Sequence, residues 1–216
     1  MSKTDNSVIL LGHYGDDWTH ACSAWTSTSR DLSEDKKTRM PKLLADLARD
    51  GHHTPFEKSS LHFLVTAEIA SHIHCLKHRI AVSINAESAR YKELKDDKFY
   101  LPTDWSEDER LALQEHCEQC FARYHDTLQR LVDSGMPRKR AKESARFYLP
   151  YATQLQFDIM FNWRSFMHFY GLRHKPAAQR EIFDVCDDML QLIRGIAGNP
   201  FRYTMEAWGI PASEEA

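Results

Sequence analysis

Between Lys77 and Tyr91 the chain reads K-H-R-I-A-V-S-I-N-A-E-S-A-R-Y, which gathers Lys77, Arg79, Arg90, Ser83, Ser88, Asn85 and Glu87 into one short run. Cations, hydroxyls, an amide and a carboxylate at this density suit an anionic ligand that also needs hydrogen bonds. A second string, N-W-R-S-F-M-H-F-Y-G-L-R from Asn162 to Arg173, repeats that chemistry and adds Arg164 and Arg173. An arginine fork binds phosphate or a pyrimidine carbonyl at two points, so Arg79, Arg90, Arg146, Arg164 and Arg173 are the natural donors for a nucleotide or a dinucleotide cofactor. Together the two strings point to a nucleotide enzyme.

Other chemistries fit less well. Ser88 has no Ser-His-Asp order and no G-x-S-x-G elbow around it, so its hydroxyl reads as a phosphate donor beside Arg90. His72, His74, Cys75 and His78 bunch closely, and His74 with His78 has the i, i+4 spacing of a helical metal pair. The H-E-x-x-H glutamate and an evident third ligand are both lacking, so no metal is expected. Neither a Walker loop nor G-x-G-x-x-G occurs, so a dinucleotide must be held in another way. Cys117-x-x-Cys120 lies in a strongly helical stretch and reads as helix packing. Five scattered cysteines argue against a disulfide framework.

The elements that carry these residues are legible from periodicity. Val8 to Leu11 reads as a short strand and Leu61 to Thr66 as another. Pro41 opens a helix that Gly51 follows, and G-H-H-T-P-F-E forms a turn. Ile69, Ile73, Leu76 and Ile80 recur at helical spacing, which would set His74, Lys77 and His78 on another face. Beyond Ile80 the residues Ser83, Asn85 and Glu87 alternate as on an extended segment, pointing the same way. Ser106 with Glu109 caps a long helix ending before Gly135, and Pro137 starts another. Thr153 to Leu172 reads as a helix apolar on most sides, which suits burial or an oligomer contact. Pro176 opens a last amphipathic helix that stops at Gly198 to Pro200.

The chain has 216 residues, 42% of them hydrophobic, enough for a real core. A formal charge of -3 provides no global field for a long polyanion, so no nucleic-acid partner is expected. The polar amino end has no signal-peptide body and no stretch nears membrane-spanning length, so a cytoplasmic protein with no membrane partner is expected. With no repeat or linker to divide it, residues 1–216 read as a single α+β domain, helix-rich with a modest, mainly antiparallel sheet.

With both strings in view, the chain resembles the flavin-dependent thymidylate synthases, whose signature is R-H-R-x-x-S-x-N-E-x-S-x-R-Y followed later by N-x-R-S-x-x-H-F-x-x-L-R. The second motif matches throughout. The likeness extends to H-x-T-P-F-E at His52 to Glu57, R-x-x-L-P at Arg146 to Pro150 and A-Q-x-E-I at Ala178 to Ile182. It implies a homotetramer with active sites shared between subunits, making thymidylate from dUMP with methylenetetrahydrofolate as carbon donor and NADPH reducing a bound FAD. By position it implies that Ser27, His52, Thr54, Glu57, His78, Arg79, Asn85, Glu87, Asn162, Arg164 and His168 contact the flavin. His74, Lys77, Glu87, Ser88, Arg90, Arg146 and Arg173 would contact the nucleotide, with Arg173 and Arg90 catalytic and Arg173 stabilising charge on the pyrimidine.

Within the signature Lys77 replaces the first arginine, one extra residue lies between Arg79 and Ser83, and Ala86 with Glu87 stands where Glu is usual. His74 stands where glutamine is common, and Trp25 aligns with a family arginine. These changes bear on the one-carbon outcome, so a hydroxymethylating relative and an inactive nucleotide-binding homologue stand as alternatives, with a zinc hydrolase far behind.

Overall fold

The computed structural model describes residues 5–29, 33–88 and 96–213. Four strands, β1 (Ser7–Tyr14), β2 (Ser60–Glu68), β3 (Val82–Ala86) and β4 (Gln154–Phe161), form an antiparallel sheet in the order β1-β2-β4-β3. Strand β2 buries Leu61, Phe63, Val65 and Ala67 and turns the residues between them outward, the period of two that a half-buried strand requires. Strand β4 does the same with Phe157, Ile159 and Phe161. Among the described residues eight α-helices accompany the sheet: α1 (Asp17–Trp25), α2 (Met40–Arg49), α3 (Ile69–Leu76), α4 (Glu107–Asp133), α5 (Arg138–Ala145), α6 (Trp163–Arg173), α7 (Arg180–Arg194) and α8 (Arg202–Ala207). The α+β reading with a modest antiparallel sheet therefore holds. None of the described helices is long and apolar enough to cross a membrane.

Three local expectations change. Thr153 to Leu172 is not one helix but β4 followed by α6, because Q-F-D-I-M-F alternates at period two and Asn162 then caps a new helix. Helix α3 stops at Leu76, so Ile80 lies outside it and is 89% exposed, and His74 and His78 are not a helical pair. Helix α7 begins at Arg180, four residues beyond Pro176, and it is not the last, since α8 follows the G-N-P break.

The chain packs as two compact units. The first comprises Met1–Ser7, Val65–Lys77 and Asn85–Phe157. Its core is Phe99, Leu101, Cys117 and Phe121, extended by Tyr124, Leu128 and Ala145. The Ser106 hydroxyl accepts from the Glu109 amide at 3.3 Å and starts α4, whose first turn carries three acidic residues against the helix dipole. Burial pushes the Cys117 thiol up to about 11, which keeps it protonated and inert, as helix packing requires. At the start of α3 the Glu68 carboxylate accepts from the Ser71 amide at 3.0 Å and from Asn6 Nδ2 at 2.7 Å.

The second unit comprises Val8–Leu64, His78–Ile84 and Asp158–Ala216. Its core is aromatic: Phe56, Phe63, Phe161, Trp163, Phe166, Phe169 and Phe201 are all buried, with Trp163 stacked on Phe201 at 5.3 Å. Helix α7 adds Ile182, Val185, Met189 and Ile193 along one stripe. A buried polar network ties α1 to α8. Asp17 accepts from the Tyr203 and Thr204 amides at 2.9 and 2.8 Å and from Thr204 Oγ1 at 2.6 Å. His20 Nδ1 lies 3.0 Å from the same Thr204 hydroxyl. That hydroxyl has given its proton to Asp17, so His20 Nδ1 is the donor and its Nε2 is left bare and buried.

Candidate active site

Helix α6 builds the first group of site residues, all within the second unit. Asn162 Oδ1 accepts from the Ser165 amide at 2.8 Å while the Asn162 amide donates to Ser165 Oγ at 3.0 Å, a reciprocal cap that fixes where the helix begins. From that start Arg164 and His168 fall one turn apart and both are exposed. Arg164 Nη1 pairs with the Glu57 carboxylate, which the 3₁₀ turn Thr54–Glu57 supplies. His52 and Thr54 of that turn region are exposed, as is Ser27, whose hydroxyl donates to the Ala24 carbonyl at 2.9 Å.

The second motif meets the first at His78. That ring is buried, edge-on to Phe169 at 5.0 Å and to His168 at 5.7 Å. Arg173 Nε donates to His78 Nε2 at 3.0 Å. An arginine can only donate, so Nε2 must be the bare nitrogen and His78 is neutral with its proton on Nδ1. The bond therefore sets both the tautomer of His78 and the plane of the half-buried Arg173 guanidinium. Next to it Arg79 is exposed and makes no ion pair among the described residues. Ser165 Oγ also reaches the Ala81 carbonyl at 3.0 Å, holding the loop between His78 and β3.

The remaining predicted residues belong to the first unit. His74 lies half-buried in the last turn of α3, and Lys77 caps that helix, exposed. Asn85 is exposed on β3. Glu87 follows the strand and is engaged with β4: its amide donates to the Gln156 carbonyl at 2.8 Å and its carboxylate accepts from the Gln156 amide at 3.0 Å. Ser88 is half-buried. Arg146 closes α5, exposed and without an ion pair among the described residues. Arg90 lies outside the described residues.

Sequence reasoning passed over three features. Ser165 lies inside the second string without being singled out, although the N-x-R-S spacing is itself a capping signal. Trp25 is buried, yet Lys36 Nζ sits 5.3 Å from its ring, so a cation stands over the place where the family arginine was aligned. The Asp17, His20 and Thr204 network has no signature in the sequence, since its members are nearly two hundred residues apart.

An exposed Arg79 with no ion pair among the described residues, next to neutral His78 packed on Phe169, is the kind of group a phosphorylated heterocycle requires. Comparison with known proteins narrows the class. The sequence model described as "Thymidylate synthase complementing protein" matches residues 10–198. The flavin-dependent thymidylate synthase of Pseudothermotoga lettingae is 34% identical over 203 residues, covering 91% of this chain and 87% of that protein. Two crystal structures of PolB, a UMP/dUMP methylase of Streptomyces cacaoi, are similar throughout. The one bound with 5-Br dUMP superposes with a TM-score of 0.78 at 28% identity and covers 97% of each chain. The one bound with 5-Br UMP gives 0.77 at 28% identity, over 95% of this chain and 94% of that one.

Proposed function

The chain belongs to the thymidylate synthase complementing protein family, and from that premise we propose that it is an FAD-dependent thymidylate synthase converting dUMP to dTMP. Methylenetetrahydrofolate provides the carbon and NADPH the reducing equivalents. The observation that carries the reading is the meeting of the two motifs: His78 of the first is buried against His168, Phe169 and Arg173 of the second.

The donor set of the second unit fits a flavin. Arg79, without an ion pair among the described residues, would supply a cation for the diphosphate, Arg164 and His168 an exposed face, and His52, Thr54, Glu57 and Ser27 further polar groups. Asn162 gives its Oδ1 to the α6 cap, which places Arg164, and its side-chain NH2 is the group that would donate to the flavin. When bound, FAD supplies hydride chemistry that no side chain here can perform.

The residues of the chain bind and orient. For C5 of the uracil ring to become nucleophilic toward the carbon donor, negative charge must develop on the ring and its carbonyl oxygens, and a fixed cationic donor would lower the energy of that state. What supports Arg173 in this role is its Nε bond to His78, which fixes the plane of the guanidinium before substrate arrives. Lys77, Ser88 and Arg146 hold the phosphate side of dUMP, together with Arg90. Lys77 contributes a point charge where an arginine would contribute a fork. Asn85 serves the flavin, and His74 and Glu87 the pyrimidine side. The functional particle is a cytoplasmic homotetramer, each site drawing its groups from more than one copy.

The likeness to PolB favours a second reading in which UMP is accepted as well as dUMP. The test serves both. Purified protein should be yellow, bleach with NADPH, and recover its colour when methylenetetrahydrofolate and dUMP are added, with a product heavier by one CH2 as a methyl group replaces the C5 hydrogen. Running the same assay with UMP separates the two substrates. A hydroxymethyl mass would assign the alternative carbon transfer, and colour without release of the C5 hydrogen would mark an inactive homologue. Protein that takes up no FAD at any concentration would remove the proposal.

A further inference from the structure

The loop between His78 and β3 contains a residue in a conformation that its side chain resists. Ala81 has φ +55°, the left-handed region in which a Cβ crowds the following carbonyl. Side-chain packing does not hold it there, for Arg79, Ile80 and Ala81 are all exposed and Ile80 reaches 89%. Its carbonyl, by contrast, is 3.0 Å from the hydroxyl of Ser165, which is only 8% exposed. That hydroxyl accepts from the Asn162 amide and stands 3.0 Å from the Asn162 carbonyl as well. Its single proton is therefore shared between the α6 cap and the Ala81 turn. The turn falls in the one-residue extension that separates this chain from the family signature.

We infer that Ser165 is a positioning residue, whose hydroxyl pins the Ala81 carbonyl and so holds the segment Arg79 to Ser83 in one backbone conformation. The extra residue lengthens the connection between buried His78 and β3, and slack there would let Arg79 wander. The Ser165 bond removes that slack and leaves Arg79 ordered for an anionic ligand. The ligand named rests on the flavin reading above, whereas the pinning itself does not.

The test is a cycle of four proteins: wild type, Ser165→Ala, deletion of Ala81, and the two combined. Amide hydrogen exchange and FAD affinity, by quenching of flavin fluorescence, are read on each. Losing one hydrogen bond should raise exchange at residues 79–84 and weaken FAD binding, each about tenfold. Exchange at residues 166–173 should stay within about threefold, since the α6 cap keeps the Asn162 side-chain bond. Deleting Ala81 from Ser165→Ala should restore both readouts, because no left-handed residue remains to be pinned.

Exchange that rises equally along α6, or a deletion that restores nothing, overturns the inference and leaves Ser165 as a helix cap alone. Should Ser165→Ala fail to fold, the combined variant decides: folding supports the inference and its absence overturns it. Should wild type bind no FAD, the functional reading falls, while the exchange comparison still decides the pinning.

Discussion

Acid should loosen the second unit through His20, and the structure gives the size of the effect. The ring is fully buried, its Nδ1 spent on Thr204 and its Nε2 surrounded by apolar groups such as Phe56, whose ring lies 5.4 Å away. Burial pushes its pKa down from 6.5 to about 4, against a weaker opposing pull from the Asp16 carboxylate. Because the folded value is depressed, the unfolded chain binds the proton more tightly between those limits. The neutral ring's contribution is complete above about pH 6.5 and is lost as pH falls toward 4. At about pH 4.5 the loss is roughly 2–3 kcal/mol, or roughly 4–12 °C in melting temperature for a chain of this size.

Burial raises Asp17, whose contribution has the opposite sign: an unfavourable buried charge that is relieved as pH drops. Comparison with His20→Gln isolates the histidine, since Asp17 is common to both proteins. Urea melts at about pH 7.5, 6.5, 5.5 and 4.5 should show wild type losing stability faster than His20→Gln, by about 1 kcal/mol per pH unit between about pH 6.5 and 4.5 and by little above that. Parallel curves for the two proteins would refute the reasoning, and with it the assignment of Nε2 as a buried bare nitrogen.

Three further outcomes are expected. Arg173→Ala should lower turnover at saturating dUMP by about 100-fold or more; steady-state rates near wild type would remove its charge-stabilising role. Ser88→Ala should weaken dUMP binding by about tenfold, the loss of one hydrogen bond to a charged group, while turnover at saturation persists. Abolished turnover with binding intact would make Ser88 a nucleophile instead. Glu57→Gln breaks an ion pair whose partners are 33% and 52% exposed, so stability should fall by under about 1 kcal/mol. FAD affinity, measured by fluorescence titration, should fall further as Arg164 loses its fixed partner.

The candidate site is drawn from local strings. Arginine chemistry alone singled out Arg79, Arg164 and Arg173, whereas His78 and His168 were named through the resemblance to the family. The α4 and α5 boundaries were equally plain, since Ser106 and Pro137 mark them by capping and by φ restriction. What misled was apolar density. Between Gln154 and Phe169 no glycine or proline separates the buried Phe157, Ile159 and Phe161 of the strand from the buried Trp163, Phe166 and Phe169 of the helix, so the whole stretch reads as readily as one helix. The bond between His78 and Arg173 joins residues 95 positions apart, and the Asp17 network joins residues further apart still. Such contacts are fixed by the path of the chain, which no local pattern encodes.

Strand β1 stands at the margin of the sheet and turns Ile9, Leu11 and Tyr14 outward, each more than half exposed. Open backbone groups beside such side chains form an adhesive ribbon, and natural proteins rarely leave one bare. Under the proposed homotetramer, an association that covers this edge would make dilution a hazard as well as a convenience for the experimenter. Copies held apart should lose solubility sooner than copies allowed to associate, and a lysine at position 11 should keep the separated chain in solution at the expense of assembly.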